Sequence, residues 1–149
     1  MAEKKTAKKS TKSSAGLSAE ERAAMRETIK ERRAEAANAD LEQMLQKAIA
    51  AMKGEDRTLA KQVDGIVKAA APHLRGKTWY GMPAYTNRDG KVVVFFKPGL
   101  KFKSRYATLG FEDAANLDEG SMWATSYALT KLTASDEKKI AALVKKAAR

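Results

Sequence analysis

The stretch KTWYGMPAYTNRDGKVVVFFK, residues 77–97, decides the fold class of this chain. Both of its halves are rich in aromatic and β-prone residues, and the polar sequence NRDG at residues 87–90 is typical of a hairpin connection. The run VVVFF at residues 92–96 is apolar at every position, so both faces of this strand are apolar. We therefore expect a strand inside a sheet that is covered, at least in part, on both sides.

Helical patterns lie on either side of this β-prone stretch. Apolar residues recur at helical spacing in residues 41–52, 59–70 and 140–147, and Asp56 is expected to cap the second of these helices. A further β-prone segment covers residues 105–111, and a short one follows before the last helix. Helices, then a run of strands, then a helix predict an α+β fold with an antiparallel sheet of about five strands flanked by helices.

The chain is predicted to have three parts. Residues 1–17 are expected to be a disordered basic tail, because lysine, serine, threonine and alanine bury too little apolar surface to offset the entropy of ordering. Residues 18–53 are expected to form a helical extension, in which the first helix has few apolar positions and is therefore exposed. Residues 54–149 are then expected to form the α+β domain.

Composition excludes many kinds of chemistry. The 149 residues are 44% hydrophobic and 32% charged, which suits one domain with a core of moderate size. Because there is no cysteine and only one histidine, His73, the sequence excludes disulfides, cysteine nucleophiles and histidine-based metal sites. No apolar run approaches the roughly 20 residues that a membrane span needs. We predict a cytoplasmic protein that is not an enzyme, uses no cofactor and has no membrane partner.

The formal net charge of +11 is unevenly distributed. From Arg75 to Tyr106 there are eight basic residues and one acidic residue, Asp89. Such a strip attracts polyanions, although solvated surface lysines produce the same pattern. Together with the basic tail it predicts nucleic acid as a possible partner, bound through phosphates without reading of sequence. The candidate contacts are Lys97, Lys101, Lys103 and Arg105.

Aromatic residues are concentrated in the same part of the chain, and most are expected to lie in the core. Trp79 and Tyr80, however, are consecutive, and neighbours in a strand face opposite sides of a sheet. One of the two is therefore expected to be exposed or to line a cavity that holds a small anionic or planar ligand. The candidate ligand-binding residues are Trp79, Tyr80, Met82, Tyr85, Arg105, Tyr106 and Trp123.

One predicted loop concentrates carboxylates. Oxygen ligands suit hard cations such as calcium, magnesium or iron. The spacing is not that of an EF-hand, and adjacent acidic residues in loops are usually solvated, so metal binding is a weak alternative. The candidate residues are Glu112, Asp113, Asp118 and Glu119.

Several segments resemble one bacterial protein family. The block WYGMPAY at residues 79–85, the strand at 91–96, the stretch KFKSRYATLGF at 101–111 and the ending at 132–147 are similar to the YdhG-like domain of unknown function. The resemblance runs from about Asp56 to the C-terminus. It implies an antiparallel sheet flanked by helices, as in frataxin, without established catalytic residues. At least one branch of the family is described as an iron chaperone.

Two functions are therefore predicted. The first is a non-enzymatic intracellular binding protein of the YdhG-like family, with a small ligand or iron as its partner. The alternative is a protein that associates with nucleic acid through its basic tail and the strip from Arg75 to Arg105.

Overall fold

The computed structural model describes residues 18–36 and 40–149, so the predicted tail lies outside the described residues. Within the described part, helices and strands follow one another in the predicted order, and the α+β class is confirmed. None of the described helices has the length and apolar character of a membrane span. The elements are α1 (Ala19–Ala36), α2 (Leu41–Ala51), α3 (Gly54–Ala70), β1 (Arg75–Trp79), β2 (Met82–Thr86), β3 (Val92–Lys97), β4 (Ala107–Phe111), β5 (Ser126–Leu129) and α4 (Ala134–Ala147).

The five strands form one antiparallel sheet in the order β1-β2-β3-β4-β5, so each strand pairs with its neighbours in sequence. The β1–β2 turn consists of Tyr80 and Gly81, whose φ angles are 52° and 77°. Positive φ at both positions is the conformation of tight two-residue hairpins. For a residue with a Cβ it costs about 1–2 kcal/mol, so contacts elsewhere must hold Tyr80 in this turn.

Helices α2, α3 and α4 pack on one face of the sheet. The approach of α2 to β1 requires Gly76, because a Cβ at that position would collide with the side chain of Leu45. Leu45 and Ile49 of α2 are buried in the same core as the sheet, although the sequence grouped this segment with the N-terminal extension. Helix α4 closes the core against α3. The largest fully buried apolar side chains are Tyr85, Phe96, Leu45, Ile49, Leu109, Val63, Val67, Val93, Val94 and Val144.

Helix α1 is attached to the rest of the molecule by carboxylates. Glu31, only 4% exposed, accepts hydrogen bonds from the backbone N–H groups of Tyr80 at 2.9 Å and Gly81 at 2.7 Å. Near the other end of the helix, Glu20 forms an ion pair with Lys103 at 3.1 Å. These contacts hold α1 to the β1–β2 turn and to the β3–β4 loop. Met25 and Ile29 are large apolar side chains of α1 that are exposed.

Stability should depend on pH through Glu31. Burial raises the pKa of Glu31, although its hydrogen bonds with Gly81, Tyr80 and Thr78 oppose the rise. A carboxyl group with a raised folded-state pKa adds stability at low pH and loses that contribution as pH rises through the raised value. We expect the wild type to gain stability relative to the Glu31→Gln variant as the pH falls from about 7 to about 4. Urea unfolding of both proteins measures this shift, and a difference that is constant with pH would contradict it.

A second buried carboxylate positions the β3–β4 loop. Asp56 was expected to cap α3, but the helix begins at Gly54 and Asp56 lies inside its first turn. Its Oδ1 accepts hydrogen bonds from the N–H groups of Gly99 and Leu100, and its Oδ2 accepts one from Lys101, each at 3.0 Å. The carboxylate therefore stabilises the loop at the end of β3 rather than the end of its own helix.

Candidate ligand-binding surface

Three aromatic rings make contact at one end of the sheet. Trp79 and Phe95 belong to the face opposite α2, α3 and α4, and Tyr80 follows in the turn. The Trp79 ring lies 5.1 Å from the Tyr80 ring and 5.3 Å from the Phe95 ring between centroids, edge-to-face in both cases. Tyr80 is 40% exposed, and Trp79 and Phe95 are half-buried. We call Trp79, Tyr80 and Phe95 the aromatic row.

Small residues beneath Phe95 determine where this ring lies. In the strand register, Phe95 is opposite Ala84 of β2 and Gly110 of β4. A Cβ at Gly110 would collide with the Phe95 ring, so the ring packs directly against the β4 backbone. The orientation of the aromatic row therefore depends on Gly110.

The β3–β4 loop brings positive charge to the same end of the sheet. The Nζ atoms of Lys97 and Lys101 lie 5.4 and 5.5 Å from the centroid of the Phe102 ring, within the range of cation–π contacts. Lys101 Nζ also donates a hydrogen bond to the Gly81 carbonyl at 3.5 Å. This contact joins the loop to the turn that carries Tyr80. The four predicted phosphate contacts are all exposed, and we call them the basic loop: Lys97, Lys101, Lys103 and Arg105.

The cations of the basic loop differ in their partners. Lys103 forms an ion pair with Glu20, which offsets part of its charge. Arg105 lies 5.3 Å from the centroid of the Tyr106 ring. Within the described ranges, no carboxylate lies within ion-pair distance of Lys97 or Arg105. These two side chains are the cations of the loop that are best placed to meet an anion.

The structure separates Tyr85 from the aromatic row. Tyr85 is 1% exposed, and its hydroxyl donates a hydrogen bond of 2.7 Å to Asp64 of α3. Burial raises the pKa of Tyr85, and the Asp64 carboxylate raises it further, so this phenol stays neutral. It lies on the helix side of the sheet, whereas Trp79 lies on the other side. Met82 remains next to Trp79 but is buried.

Trp123 belongs to another site. It lies in the β4–β5 loop, at the opposite end of the sheet from the β1–β2 turn, and lines a cavity of about 320 Å³. Three of the four predicted metal ligands line the same cavity. The fourth, Glu119, forms an ion pair with Lys146, with 3.8 Å between Oε2 and Nζ. The described part of the chain contains no group of three acidic or histidine side chains able to hold a metal ion. The carboxylates that line the cavity are Glu112, Asp113 and Asp118.

Sequence reasoning missed Phe95 as a surface residue. It assigned Phe95 to the buried strand at residues 92–96, whereas the side chain is half-buried and contacts Trp79. The available signal was Lys97, because residues two apart in a strand share a face, so Phe95 lies on the same face as an exposed lysine.

Comparisons of the chain with protein-family models, with curated proteins and with solved structures found no match. The family resemblance therefore stays a prediction.

Proposed function

We propose that this chain is a non-enzymatic binding protein of the YdhG-like class, and that it holds a planar organic anion at the aromatic row. The observation that carries the proposal is that ring surface lies at the same end of the sheet as Lys97 and Arg105, for which the described residues provide no carboxylate partner. The contact between Lys101 and the Gly81 carbonyl links them. Ring surface binds planar groups by stacking, and exposed lysines attract the negative charge of the same ligand.

Nucleotides combine the two required properties in one molecule. A base can stack against the exposed ring of Tyr80 and the half-buried ring of Trp79, and stacking on such rings contributes about 1–3 kcal/mol per base. The phosphates would then pair with Lys97 or Arg105, which have exposed side chains. Base and phosphate would thus bind at the aromatic row and the basic loop, respectively.

Single-stranded nucleic acid is the second candidate, and the spacing of the cations favours it. Residues 97–105 contain four cations within nine residues, and all four are exposed. A strand could stack one base on the aromatic row while its neighbouring phosphates follow the basic loop. Binding of this kind weakens steeply with salt because each phosphate contact releases counterions.

Iron handling, described for one branch of the resembling family, is not included in this proposal. The three carboxylates that share a cavity do not form a group able to hold a metal ion, and they lie away from the aromatic row.

Fluorescence titration distinguishes the two ligands. The chain has two tryptophans, so the Trp123→Phe variant reports on Trp79 alone. We expect adenosine triphosphate or an oligothymidylate of about 20 nucleotides to quench Trp79 and saturate. A salt-sensitive response to the oligonucleotide alone supports nucleic acid, and a comparable response to the mononucleotide supports a small ligand. No response to either ligand contradicts both proposals.

Charge reversal tests the basic loop. We expect the double variant Lys97→Glu and Arg105→Glu to weaken binding of the responding ligand at least about tenfold, since two phosphate contacts become repulsive. The matched control is the double variant Arg88→Glu and Lys91→Glu, which makes the same change in charge in the exposed β2–β3 turn at the other end of the sheet. Equal weakening by this control would show that net charge, not the basic loop, determines binding.

A further inference from the structure

The two edges of the sheet differ in what lies beside them. Helix α1 contacts β1, whereas β5, at the other edge, pairs only with β4, and no strand of the described residues lies on its outer side. The N–H of Phe111 donates to the Thr125 carbonyl at 2.8 Å, and hydrogen-bonded pairs alternate along an antiparallel ladder. Ser126 and Ala128 therefore lie at non-hydrogen-bonded positions of the β4–β5 ladder, so their N–H and C=O groups point outward, away from β4. Within residues 18–36 and 40–149, these outward groups have no hydrogen-bond partner.

A groove runs along this free edge, between β5 and α4. Its volume is about 670 Å³, and its apolar wall includes Tyr127 of β5 and Ile140 and Leu143 of α4. One carboxylate, Asp136, also lines the groove and accepts a hydrogen bond from the N–H of Thr133 in the cap of α4. The basic residues that line the groove outnumber it and are Lys131, Lys139 and Lys146, the last of which forms an ion pair with Glu119 at 3.8 Å.

We propose that this groove binds an extended acidic peptide, which adds to β5 as a sixth strand of the sheet. The outward groups of Ser126 and Ala128 supply the backbone hydrogen bonds that an added strand needs. Alternate side chains of a strand point to the same face, so every second peptide side chain enters the groove beside Leu143. Carboxylates of the peptide, at those positions or at its ends, form ion pairs with the lysines that line the groove.

Charge favours an acidic peptide over two other candidates for the groove, a second copy of the chain and the segment at residues 1–17. A second copy bound through the same edge by a two-fold axis would bring the lysines of both grooves together, which is unfavourable. The segment at residues 1–17 carries five lysines and one glutamate, so the groove repels it as well. A segment rich in glutamate or aspartate is complementary to the groove.

The test uses a fluorescein-labelled peptide of about eight residues in which glutamate and valine alternate, and a second peptide with lysine in place of glutamate. We expect the full chain to bind the acidic peptide with a dissociation constant below about 1 mM, and the basic peptide at least about tenfold more weakly. Ala128→Pro removes an outward N–H at an edge position that tolerates proline, and should weaken binding at least about tenfold.

The lysines are tested on α4. Lys139→Glu should weaken binding of the acidic peptide about tenfold, while Lys138→Glu, with the same charge change beside it but outside the groove, should leave binding nearly unchanged. Equal effects of the two variants would overturn the proposal, as would equal binding of both peptides or the absence of any binding. A dimer that Ala128→Pro dissociates would also overturn it, since a second copy would then occupy the edge.

A further measurement keeps the proposal testable if the Ala128→Pro variant does not fold. If circular dichroism shows that Ala128→Pro does not fold, the amide resonances of Ser126 and Ala128 in the wild type decide the question. Saturating peptide should slow hydrogen exchange at both amides. Unchanged exchange at both would overturn the proposal, because an added strand must occupy these donors.

Discussion

Replacing Asp56 with alanine is expected to lower the free energy of unfolding by about 3–5 kcal/mol. The Asp56 carboxylate is buried, and it accepts the N–H groups of Gly99, Leu100 and Lys101. Alanine leaves these three donors without their acceptor. Hydrogen bonds to a charged group are the stronger kind, and a buried donor without a partner carries the full cost of desolvation. The β3–β4 loop should therefore lose its fixed conformation.

Urea unfolding followed by circular dichroism measures this effect. The matched control is Glu55→Ala, the preceding residue, whose side chain is exposed and which should change stability by no more than about 0.5 kcal/mol. Asp56→Asn should fall between the two, because one amide oxygen can replace Oδ1 while the NH₂ group faces the N–H of Lys101. Equal stability of Asp56→Ala and Glu55→Ala would show that the loop does not depend on the carboxylate.

Gly110→Ala is expected to destabilise the protein by about 2–3 kcal/mol and to move the Phe95 ring out of the aromatic row. The added Cβ would collide with that ring, which lies against β4 and also contacts Trp79. The ring can escape only by leaving its position over the sheet. Binding at the aromatic row should weaken in the same variant.

The control for this substitution is another glycine. At Gly65, within α3, an added Cβ meets nothing within 4 Å, so Gly65→Ala should stabilise the protein by about 0.5–1 kcal/mol. Near-ultraviolet circular dichroism in the Trp123→Phe background reports on the surroundings of Trp79. An unchanged spectrum and unchanged stability in Gly110→Ala would mean that Phe95 does not depend on close contact with β4.

The order of elements and the class of fold could be predicted because they follow from local patterns. The continuous apolar run at residues 92–96 predicts an interior strand, and β3 lies at the centre of the sheet between β2 and β4. The α2 stripe that contains Leu45 and Ile49 also appears in the sequence as helical periodicity. In both cases residues that are close in sequence determine the structure.

Contacts between distant segments could not be predicted in this way. Glu31 meets Tyr80 and Gly81, which lie about 50 residues further along, and no periodicity connects a carboxylate to a backbone N–H. Asp56 accepts hydrogen bonds from a loop more than 40 residues further along the chain. In the sequence, its position near the start of a helix is that of an ordinary helix cap.

For the candidate site, the sequence indicated the right residue types but not their sides of the sheet. The turn at Tyr80 sets the register of β2, and that register places Tyr85 beside Asp64 rather than with Trp79. A shift of one residue would reverse this arrangement, so face assignment requires the turn geometry as well as composition.

The sequential order of the strands has a consequence for the rate of folding. The β1–β2 and β2–β3 hairpins close short loops, at residues 80–81 and 87–91, and chains rich in such local contacts fold quickly. The docking of α4 on α3 is different, because the hydrogen bond from Gln62 to Glu137, at 3.4 Å, joins residues 75 positions apart. We expect stopped-flow refolding to show early formation of the hairpins, with α4 as the last element to arrive, so that substitutions at Val144 accelerate unfolding while refolding stays nearly unchanged.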